Sequence, residues 1–312
     1  MHIPHSKKFY RLIESILKKL ILFFKSTKNQ KLTRAALSAV YLTHKKEQFL
    51  LKTQKNENFI VHCDELISTN IFVEGSFDFF KFEQVVSIIK KSNHLTTLVD
   101  VGANIGSIAI PALTRNYFKE AILVEPEEKN FQVLMANVYL NGLRKKVTAH
   151  NIALTDEDNS SLYLELNKEK NYGDHRIFDG VVTSNTIGKK NIRAIRGATL
   201  DKIAPNLERN NSLIWMDTQG HEGIILKGAK QSIEKKIPMV LEFTPFFIEK
   251  NGSYDCFKLL LCYSVVYDLN EENPTPIRFN ENVLKNLFDK YYQYPPKYPN
   301  DFFTDLLFLY NE

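Results

Sequence analysis

Residues 98–110 read LVDVGANIGSIAI, and the fold class of the chain can be predicted from these residues. An apolar run ends at Asp100, a loop with two glycines follows, and a second apolar segment begins, which predicts a strand, a tight turn and a helix. Glycine lacks the Cβ that would block a positive φ or hold a ligand away from the backbone. We therefore predict a loop pressed against a nucleotide-type cofactor. Its candidate cofactor-binding residues are Asp100, Gly102, Asn104 and Gly106.

The next apolar run, AILVEP at residues 121–126, predicts a second buried strand that ends at Glu125. Glu125 lies 19 positions after Gly106. A doubly wound α/β fold places an acid about 20 residues past the glycine loop, where it accepts hydrogen bonds from ribose hydroxyls. We therefore predict that Glu125 binds the ribose of a cofactor.

Two classes of cofactor share this layout. Dinucleotide folds use G-x-G-x-x-G, in which the glycines and the helix N-terminus receive a pyrophosphate. This chain has D-x-G-x-N-x-G instead. The carboxylate of Asp100 would repel an anion and attract the sulfonium and ammonium groups of S-adenosylmethionine. The loop thus favours S-adenosylmethionine, and an NAD-dependent oxidoreductase is the alternative.

Five motifs, in this order, resemble those of the FkbM-type methyltransferases, and the resemblance covers roughly residues 70–310. The motifs are DVGANIGSIAI at 100–110, VEPEEKNFQVLMANVYLNGL at 124–143, NIALTD at 151–156, ATLDKI at 198–203 and WMDTQGHEGIILKGA at 215–229. The resemblance implies an S-adenosylmethionine-dependent enzyme that methylates a hydroxyl oxygen. The acceptor it implies is a carbohydrate or a related polyhydroxylated metabolite.

Strands and helices alternate along most of the chain. Predicted strands lie near residues 97–101, 121–125, 146–152, 212–217 and 238–243. Predicted helices lie near 80–92, 106–116, 128–141 and 222–236, and a small β element is predicted near 58–75. Such alternation predicts an α/β fold with a mostly parallel, doubly wound sheet and helices on both faces. The resemblance to the FkbM-type enzymes implies the Rossmann-like class I methyltransferase form of this fold. The ligand of such a sheet lies at the carboxyl ends of the strands.

The run LIWMDTQGHEG at residues 213–223 holds the candidate catalytic residues. Methyl transfer to a hydroxyl requires alignment of the two reacting atoms and removal of the hydroxyl proton. We predict His221 as the base, with Asp217 orienting it or the acceptor. Glu222 could take either role, or could be a helix-start acid favoured by the helix dipole. Glu242 ends the next apolar run, and we predict that it is either a structural residue or one that lies on the substrate side of the site.

Two further groups of residues are candidates for binding. Asn151 and Ala153 end the third predicted strand, where similar folds contact adenine. Residues 154–211 form a connection far longer than usual and are predicted to be an insertion or lid. Within it, His175 and Arg176 could bind a hydroxylated or anionic substrate, or could belong to a solvated turn.

No metal or disulfide is expected. Asp217 and His221 are two groups, too few for a magnesium site. Three scattered cysteines without a C-x-x-C pair indicate a reducing compartment, so we expect a cytoplasmic protein.

The N-terminal segment differs from the rest in charge. Residues 1–60 contain 13 Lys and Arg against three Asp and Glu, a net +10, which leaves −5 for the remainder. From Phe9 to Phe24 apolar residues follow helical spacing with basic residues opposite, which predicts an amphipathic helix. It is too short and too charged to span a bilayer, and Lys18 and Lys19 make a secretory signal a poor fit.

We therefore divide the chain into a helical extension, 1–55, and a methyltransferase domain, 56–312. The extension could dock on an anionic membrane through residues 9–25, or pack on its own domain or on a partner chain. Nucleic-acid binding is not expected, because no binding motif accompanies the charge. A noncatalytic, membrane-associated cofactor-binding protein is a further alternative.

Overall fold

The structure is a computed structural model. It describes residues 16–17, 19–26, 30–43, 49–54, 56–63, 66–89, 95–167, 173–178, 191–292 and 302–311. The predicted amphipathic helix begins outside these residues, at Phe9. The described residues between 16 and 26 are all helical.

The described residues form strands and helices in alternation. The strands are β1 (Phe49–Thr53), β2 (Asn58–His62), β3 (Thr97–Val101), β4 (Glu120–Val124), β5 (Val147–His150), β6 (Ala153–Leu154), β7 (Ser161–Glu165), β8 (Arg176–Ile177), β9 (Ile192–Ala198), β10 (Ser212–Met216), β11 (Met239–Phe243), β12 (Val265–Asp268), β13 (Ile277–Arg278) and β14 (Thr304–Leu309). The α-helices are α1 (Gln30–Thr43), α2 (Leu66–Glu74), α3 (Phe79–Ile89), α4 (Ala109–Thr114), α5 (Glu128–Leu140), α6 (Leu200–Ile203), α7 (Glu222–Lys227), α8 (Lys230–Glu234), α9 (Pro245–Lys250) and α10 (Glu281–Tyr291). Short 3-10 helices cover Arg144–Lys146 and Tyr254–Cys262.

An eight-stranded sheet forms the centre, in the order β13-β12-β14-β11-β10-β3-β4-β5. The five strands from β11 to β5 run parallel, and β14 runs antiparallel to β11 and β12. Strand β3 lies between β4 and β10, so the strand order reverses at β3. Ligands of doubly wound sheets bind at such a reversal, outside the carboxyl ends of the strands. The predicted fold class is confirmed.

The central strands are apolar throughout because both faces of the sheet are covered. Successive side chains of a strand point to opposite faces, and Leu98 and Val99 of β3 accordingly enter different core clusters. Every residue of β10 and of β11 is buried. Such strands have near-continuous apolar sequences, so their polar residues at the carboxyl ends stand out.

The connection between β5 and β10 carries a second sheet, in the order β6-β9-β7-β8. Strand β6 pairs parallel with β9, and β7 pairs antiparallel with β8 and β9. The sheet lies within the segment predicted as an insertion or lid.

The N-terminal elements pack on the rest of the chain. Strands β1 and β2 form an antiparallel hairpin, and the domain boundary expected between residues 55 and 56 falls inside it. Ile21 is buried together with two residues of α1, Ala36 and Val40. The hydroxyl of Tyr41 donates to the carbonyl of His62 in β2.

Two of the predicted elements were wrong in part. The β element predicted near 58–75 ends with β2, and the β-branched sequence after it forms α2. Ile67 and Ile71, four residues apart, bury one face of that helix, so packing overrides strand propensity. The helix predicted near 222–236 is divided at Gly228, where a Cβ would lie 2.2 Å from the carbonyl oxygen of Thr155.

No helix in the described part of the chain is long and apolar enough to cross a membrane.

Candidate active site

A cavity of about 1010 Å³, including its opening to solvent, lies at the carboxyl ends of β3, β4 and β10. Many of the predicted site residues line it: Asp100, Gly102, Asn104, Glu125, Ala153, His175, Asp217 and His221. Four predicted site residues lie outside its lining: Gly106, Asn151, Arg176 and Glu222. The chain thus brings the ends of separate motifs to one space.

The glycines of the loop beside the cavity allow close contacts with neighbouring elements. Gly102 has φ +82°, and a Cβ there would lie 1.9 Å from the carbonyl oxygen of Asp217. Gly106 has φ +93°, and a Cβ there would lie 2.7 Å from the side chain of Ile110. Gly102 therefore permits the approach of β3 and β10, whereas Gly106 permits the turn to pack on α4.

Glu125 follows β4 and is buried in the cavity wall. The backbone N–H of Asn104 donates to Oε2 at 2.9 Å, and the N–H of Glu127 donates to Oε1 at 2.8 Å. Burial raises the pKa of the Glu125 carboxyl to about 8, although both hydrogen bonds favour the ionised form. Each oxygen keeps a second lone pair, so the carboxylate can also accept hydrogen bonds from ligand hydroxyls.

Asp100 lies one residue before the end of β3, as a buried carboxyl that lines the cavity. Its Oδ2 is buried and has no hydrogen-bond partner in the described part of the chain. Burial raises the pKa of Asp100 to about 7. A cation placed beside it would favour the ionised form, so this position fits an ammonium group.

Asn151 and Ala153 differ in their positions. The amide of Asn151 donates to the carbonyls of Glu125 and Pro126, at 2.9 and 3.1 Å, and so ties the end of β4 to the end of β5. Ala153 is buried and lines the cavity. Its small side chain leaves room for a flat ligand group.

Asp217 follows β10 and is held by its neighbour Gln219. The amide nitrogen of Gln219 donates to Asp217 Oδ1 at 2.7 Å and lies 3.4 Å from Glu242 Oε1. Desolvation, with repulsion from Asp305, raises the pKa of Asp217 to about 6. Asp217 can therefore take up a proton near neutral pH.

His221 and Glu222, at the start of α7, are in different environments. His221 lines the cavity, and burial lowers its pKa to about 4, so the imidazole is neutral at pH 7. Its Nε2 has no hydrogen-bond partner among the residues that the structure describes.

Glu222 is fully buried, and its Oε1 accepts hydrogen bonds from the N–H and the hydroxyl of Thr218, at 2.7 and 2.8 Å. Burial raises the pKa of Glu222 to about 7. Glu222 thus positions the loop that carries Asp217.

His175 and Arg176 lie in the small second sheet and its preceding loop. His175 lines the cavity, and its Nδ1 accepts the N–H of Asn167 at 3.0 Å. Burial lowers the pKa of His175 to about 4. The guanidinium of Arg176 pairs with Asp174 at 2.5 Å and lies 3.6 Å from the ring centroid of Phe247. Its charge is therefore engaged away from the cavity lining.

Sequence reasoning missed six polar residues that line the cavity: Asp78, Ser107, Asn130, Thr218, Gln219 and Asp305. Asp305 is paired in register with Glu242 across β14 and β11. It also accepts a 2.6 Å hydrogen bond from Lys81 in α3. Gln219, beside Asp217, could have been found from its place in the loop after an apolar strand. Asp305 gave no such signal, since it lies near the start of its strand.

In the described ranges, no group of three or more His, Cys, Asp and Glu side chains is arranged to hold a metal ion.

Comparison with known proteins gave one family. The sequence model described as Methyltransferase FkbM domain matches residues 100–291, more than half of the chain. No match was found among curated protein sequences.

The solved structures that are similar to the chain include the following three. An FkbM methyltransferase from Methylobacillus flagellatus has 18% identity and a TM-score of 0.39, over 69% of this chain and 43% of that one, so the chain spans less than half of its length. The METTL16 MTase domain has 11% identity and a TM-score of 0.42, over 89% and 81% of the two chains. M. jannaschii TYW2 in complex with AdoMet has 12% identity and a TM-score of 0.37, over 84% and 85%. With TM-scores below 0.5, these likenesses carry no argument about function.

Proposed function

The chain belongs to the FkbM methyltransferase family, whose cofactor is S-adenosylmethionine, and we propose that it methylates a hydroxyl oxygen. The proposed acceptor is a carbohydrate or a related polyhydroxylated metabolite. Membership of a methyltransferase family removes the NAD-dependent alternative.

The cavity lining fits the cofactor in charge and in hydrogen bonding. Glu125 would accept hydrogen bonds from the ribose hydroxyls, and Asp100, whose Oδ2 has no hydrogen-bond partner in the described ranges, would face the ammonium group. Gly102, Asn104 and Ala153 would allow the cofactor to approach the backbone. When bound, S-adenosylmethionine supplies an electrophilic methyl group on a positively charged sulfur.

The observation that carries transfer to oxygen is the position and pKa of Asp217. A hydroxyl must lose its proton as its oxygen gains the methyl group, and a base works best when its pKa is near the working pH. Asp217 lines the cavity beside Gly102 with a pKa raised to about 6. We therefore propose that the hydroxyl proton passes to the carboxylate of Asp217.

The other two catalytic candidates then have supporting roles. His221 has a pKa of about 4 and so holds a transferred proton less well than Asp217. Its neutral Nε2 can still accept a hydrogen bond from an acceptor hydroxyl. Glu222 holds Thr218 and thereby the loop between β10 and α7.

The polar lining supports an acceptor with several hydroxyls. Asp78, Thr218 and Gln219 line the cavity along with Asp217. Carboxylates, hydroxyls and amide oxygens all accept hydrogen bonds, so a polyhydroxylated molecule would satisfy more of them than an apolar one.

The experiment is methyl transfer from labelled S-adenosylmethionine into an extract of polar metabolites and glycans, followed by mass spectrometry. We expect the label in an ether that resists mild base. Label in a base-labile ester or on nitrogen would contradict transfer to a hydroxyl. Labelling of no compound would favour the noncatalytic alternative.

We also propose a cytoplasmic protein that contacts an anionic membrane through residues 9–25. In the described part of this segment, Ile16, Leu20 and Phe23 follow helical spacing and are 50%, 39% and 60% exposed. Lys19 and Lys25 are exposed as well. Residues 9–15 and 18 lie outside the described residues. An exposed apolar stripe in a segment of high positive charge fits an anionic lipid surface better than a nucleic acid.

A further inference from the structure

Carboxylates crowd one end of the cavity. Asp217 follows β10 and lines the cavity, as does Asp305 in β14, whereas Glu242, opposite Asp305 in β11, is buried outside this lining. The amide of Gln219 lies within hydrogen-bond distance of both Asp217 and Glu242. Asp78, from the loop before α3, completes the group, which we call the acidic end.

One cation accompanies the acidic end in the described part of the chain. The ammonium of Lys81 lies 2.6 Å from Asp305 Oδ2, and both side chains are buried. The same ammonium also interacts with Asp78 and Glu242, so several carboxyls of the acidic end share one cation. Among the described residues, no Lys or Arg side chain lines the cavity.

Glu242 contacts Asp217 and does not face the cavity. It is buried, lies outside the cavity lining and forms a side-chain hydrogen bond with Asp217. The carboxyls that line this end of the cavity are Asp78, Asp217 and Asp305, and each can accept hydrogen bonds from ligand hydroxyls.

The raised pKa values at the acidic end agree with the close spacing of its carboxyls. Burial and repulsion from Asp217 raise the pKa of Glu242 well above its usual range. Burial also raises the pKa of Asp78, an effect that Lys81 opposes and Asp305 increases. Since the site already disfavours its own negative charges, another anion would be repelled.

On the basis of the proposed hydroxyl methylation, we propose that the acceptor is a polyhydroxylated molecule without phosphate, sulfate or carboxylate groups. Its hydroxyls donate to the carboxylates of the acidic end. An acceptor that differs only by an added anionic group should react on the order of 100-fold less efficiently.

The first test separates the acceptor by charge. A metabolite and glycan extract is divided by ion exchange into anionic and non-anionic fractions, and each is incubated with the full chain and methyl-labelled S-adenosylmethionine. We expect labelled ether in the non-anionic fraction. Labelled ether confined to the anionic fraction would overturn the inference while leaving hydroxyl methylation intact. No labelled ether in any fraction would overturn the proposed function and this inference with it.

The second test changes one charge and uses the labelled acceptor and its carboxylated derivative. Asp78 has φ +52°, which asparagine tolerates as well as aspartate, so Asp78→Asn removes charge with little backbone strain. We expect kcat/KM for the derivative, relative to the parent acceptor, to rise about tenfold. Glu272→Gln removes an exposed charge outside the cavity lining and should leave the ratio unchanged. An unchanged ratio in Asp78→Asn, or an equal rise in both variants, would refute selection by the acidic end.

Discussion

The carbonyl oxygen of Asp217 occupies the space that a side chain on Gly102 would need, with 1.9 Å between it and an ideal Cβ. Strands β3 and β10 are adjacent and parallel, so this contact joins their carboxyl ends. The loop proposed to hold the cofactor and the residue proposed to take the proton are thus in direct contact. A change in one will displace the other.

Gly102→Ala should therefore destabilise the fold and displace Asp217. Alanine would have to adopt φ near +82° and also overlap a backbone oxygen. We expect a loss of about 2 to 4 kcal/mol in the free energy of unfolding, measured by urea denaturation.

Gly142→Ala is the matched control. Gly142 has φ +68°, but nothing lies within 4 Å of an ideal Cβ there, so its loss should be about 1 kcal/mol. Equal losses in the two variants would show that the contact with Asp217 imposes no constraint.

Glu125→Ala should weaken cofactor binding. The variant loses charge-assisted hydrogen bonds to the ribose, each worth roughly 1.5 to 3 kcal/mol, so affinity should fall about 100-fold or more. It also removes the acceptor of the Asn104 and Glu127 N–H groups, so its melting temperature should fall too. Titration calorimetry on the folded variant measures the affinity, and Glu128→Ala, in the first turn of α5, is the control. Near wild-type affinity would remove Glu125 from the ribose site.

Cofactor affinity should rise with pH between about 6 and 8. The pKa values of Asp100 and Glu125 are raised to about 7 and about 8, so both are largely protonated at pH 6. An ammonium group and ribose hydroxyls favour the ionised carboxylates, so binding should release protons. Calorimetry in buffers of different ionisation enthalpy measures the number of protons released on binding. Binding that takes up no protons and has constant affinity over this range would contradict these two roles.

The same shifts predict how the stability of the cofactor-free protein depends on pH. A carboxyl whose folded pKa exceeds its unfolded value stabilises the fold below the unfolded pKa. For Asp100 and Glu125 this stabilisation is lost as pH rises from about 4 to about 8. Melting temperatures without and with S-adenosylmethionine should therefore diverge towards pH 8.

The sequence predicted the residues that end parallel strands. Asp100, Glu125 and Asp217 each end or directly follow an apolar run, and parallel strands bring their carboxyl ends to one edge. Asp305 could not be predicted in this way, because β14 is antiparallel and pairs with β11 across about 60 residues of chain. Lys81 could not be predicted either, because its partner Asp305 lies 224 residues further along the chain.

The roles of some predicted residues also required the structure. An amide after a strand, such as that of Asn151, can face a ligand or bind the backbone of a turn. Asn151 binds the backbone, because its amide donates to the carbonyls of Glu125 and Pro126. His221 has the residue type of a base, but burial lowers its pKa to about 4. Neither burial nor hydrogen-bond partners can be read from spacing along the chain.

The full chain should sediment with anionic vesicles at low salt and less so at high salt, because salt screens the attraction of its cations. Leu20→Asp with Phe23→Asp should abolish sedimentation, since both side chains are exposed. Leu140→Asp, on an exposed position of α5, is the control. No sedimentation of the full chain at low salt would contradict the membrane proposal and favour a protein partner.

Asp217 is proposed to accept the proton of an acceptor hydroxyl during methyl transfer, and the single-turnover rate of methyl-ether formation in Asp217→Asn tests this role. We expect near wild-type affinity for S-adenosylmethionine and a rate lower by about 10² to 10⁴. His221→Ala, measured in parallel, should slow the reaction by less. A wild-type rate in Asp217→Asn, together with a loss of about 10² or more in His221→Ala, would refute this role of Asp217 and make His221 the base.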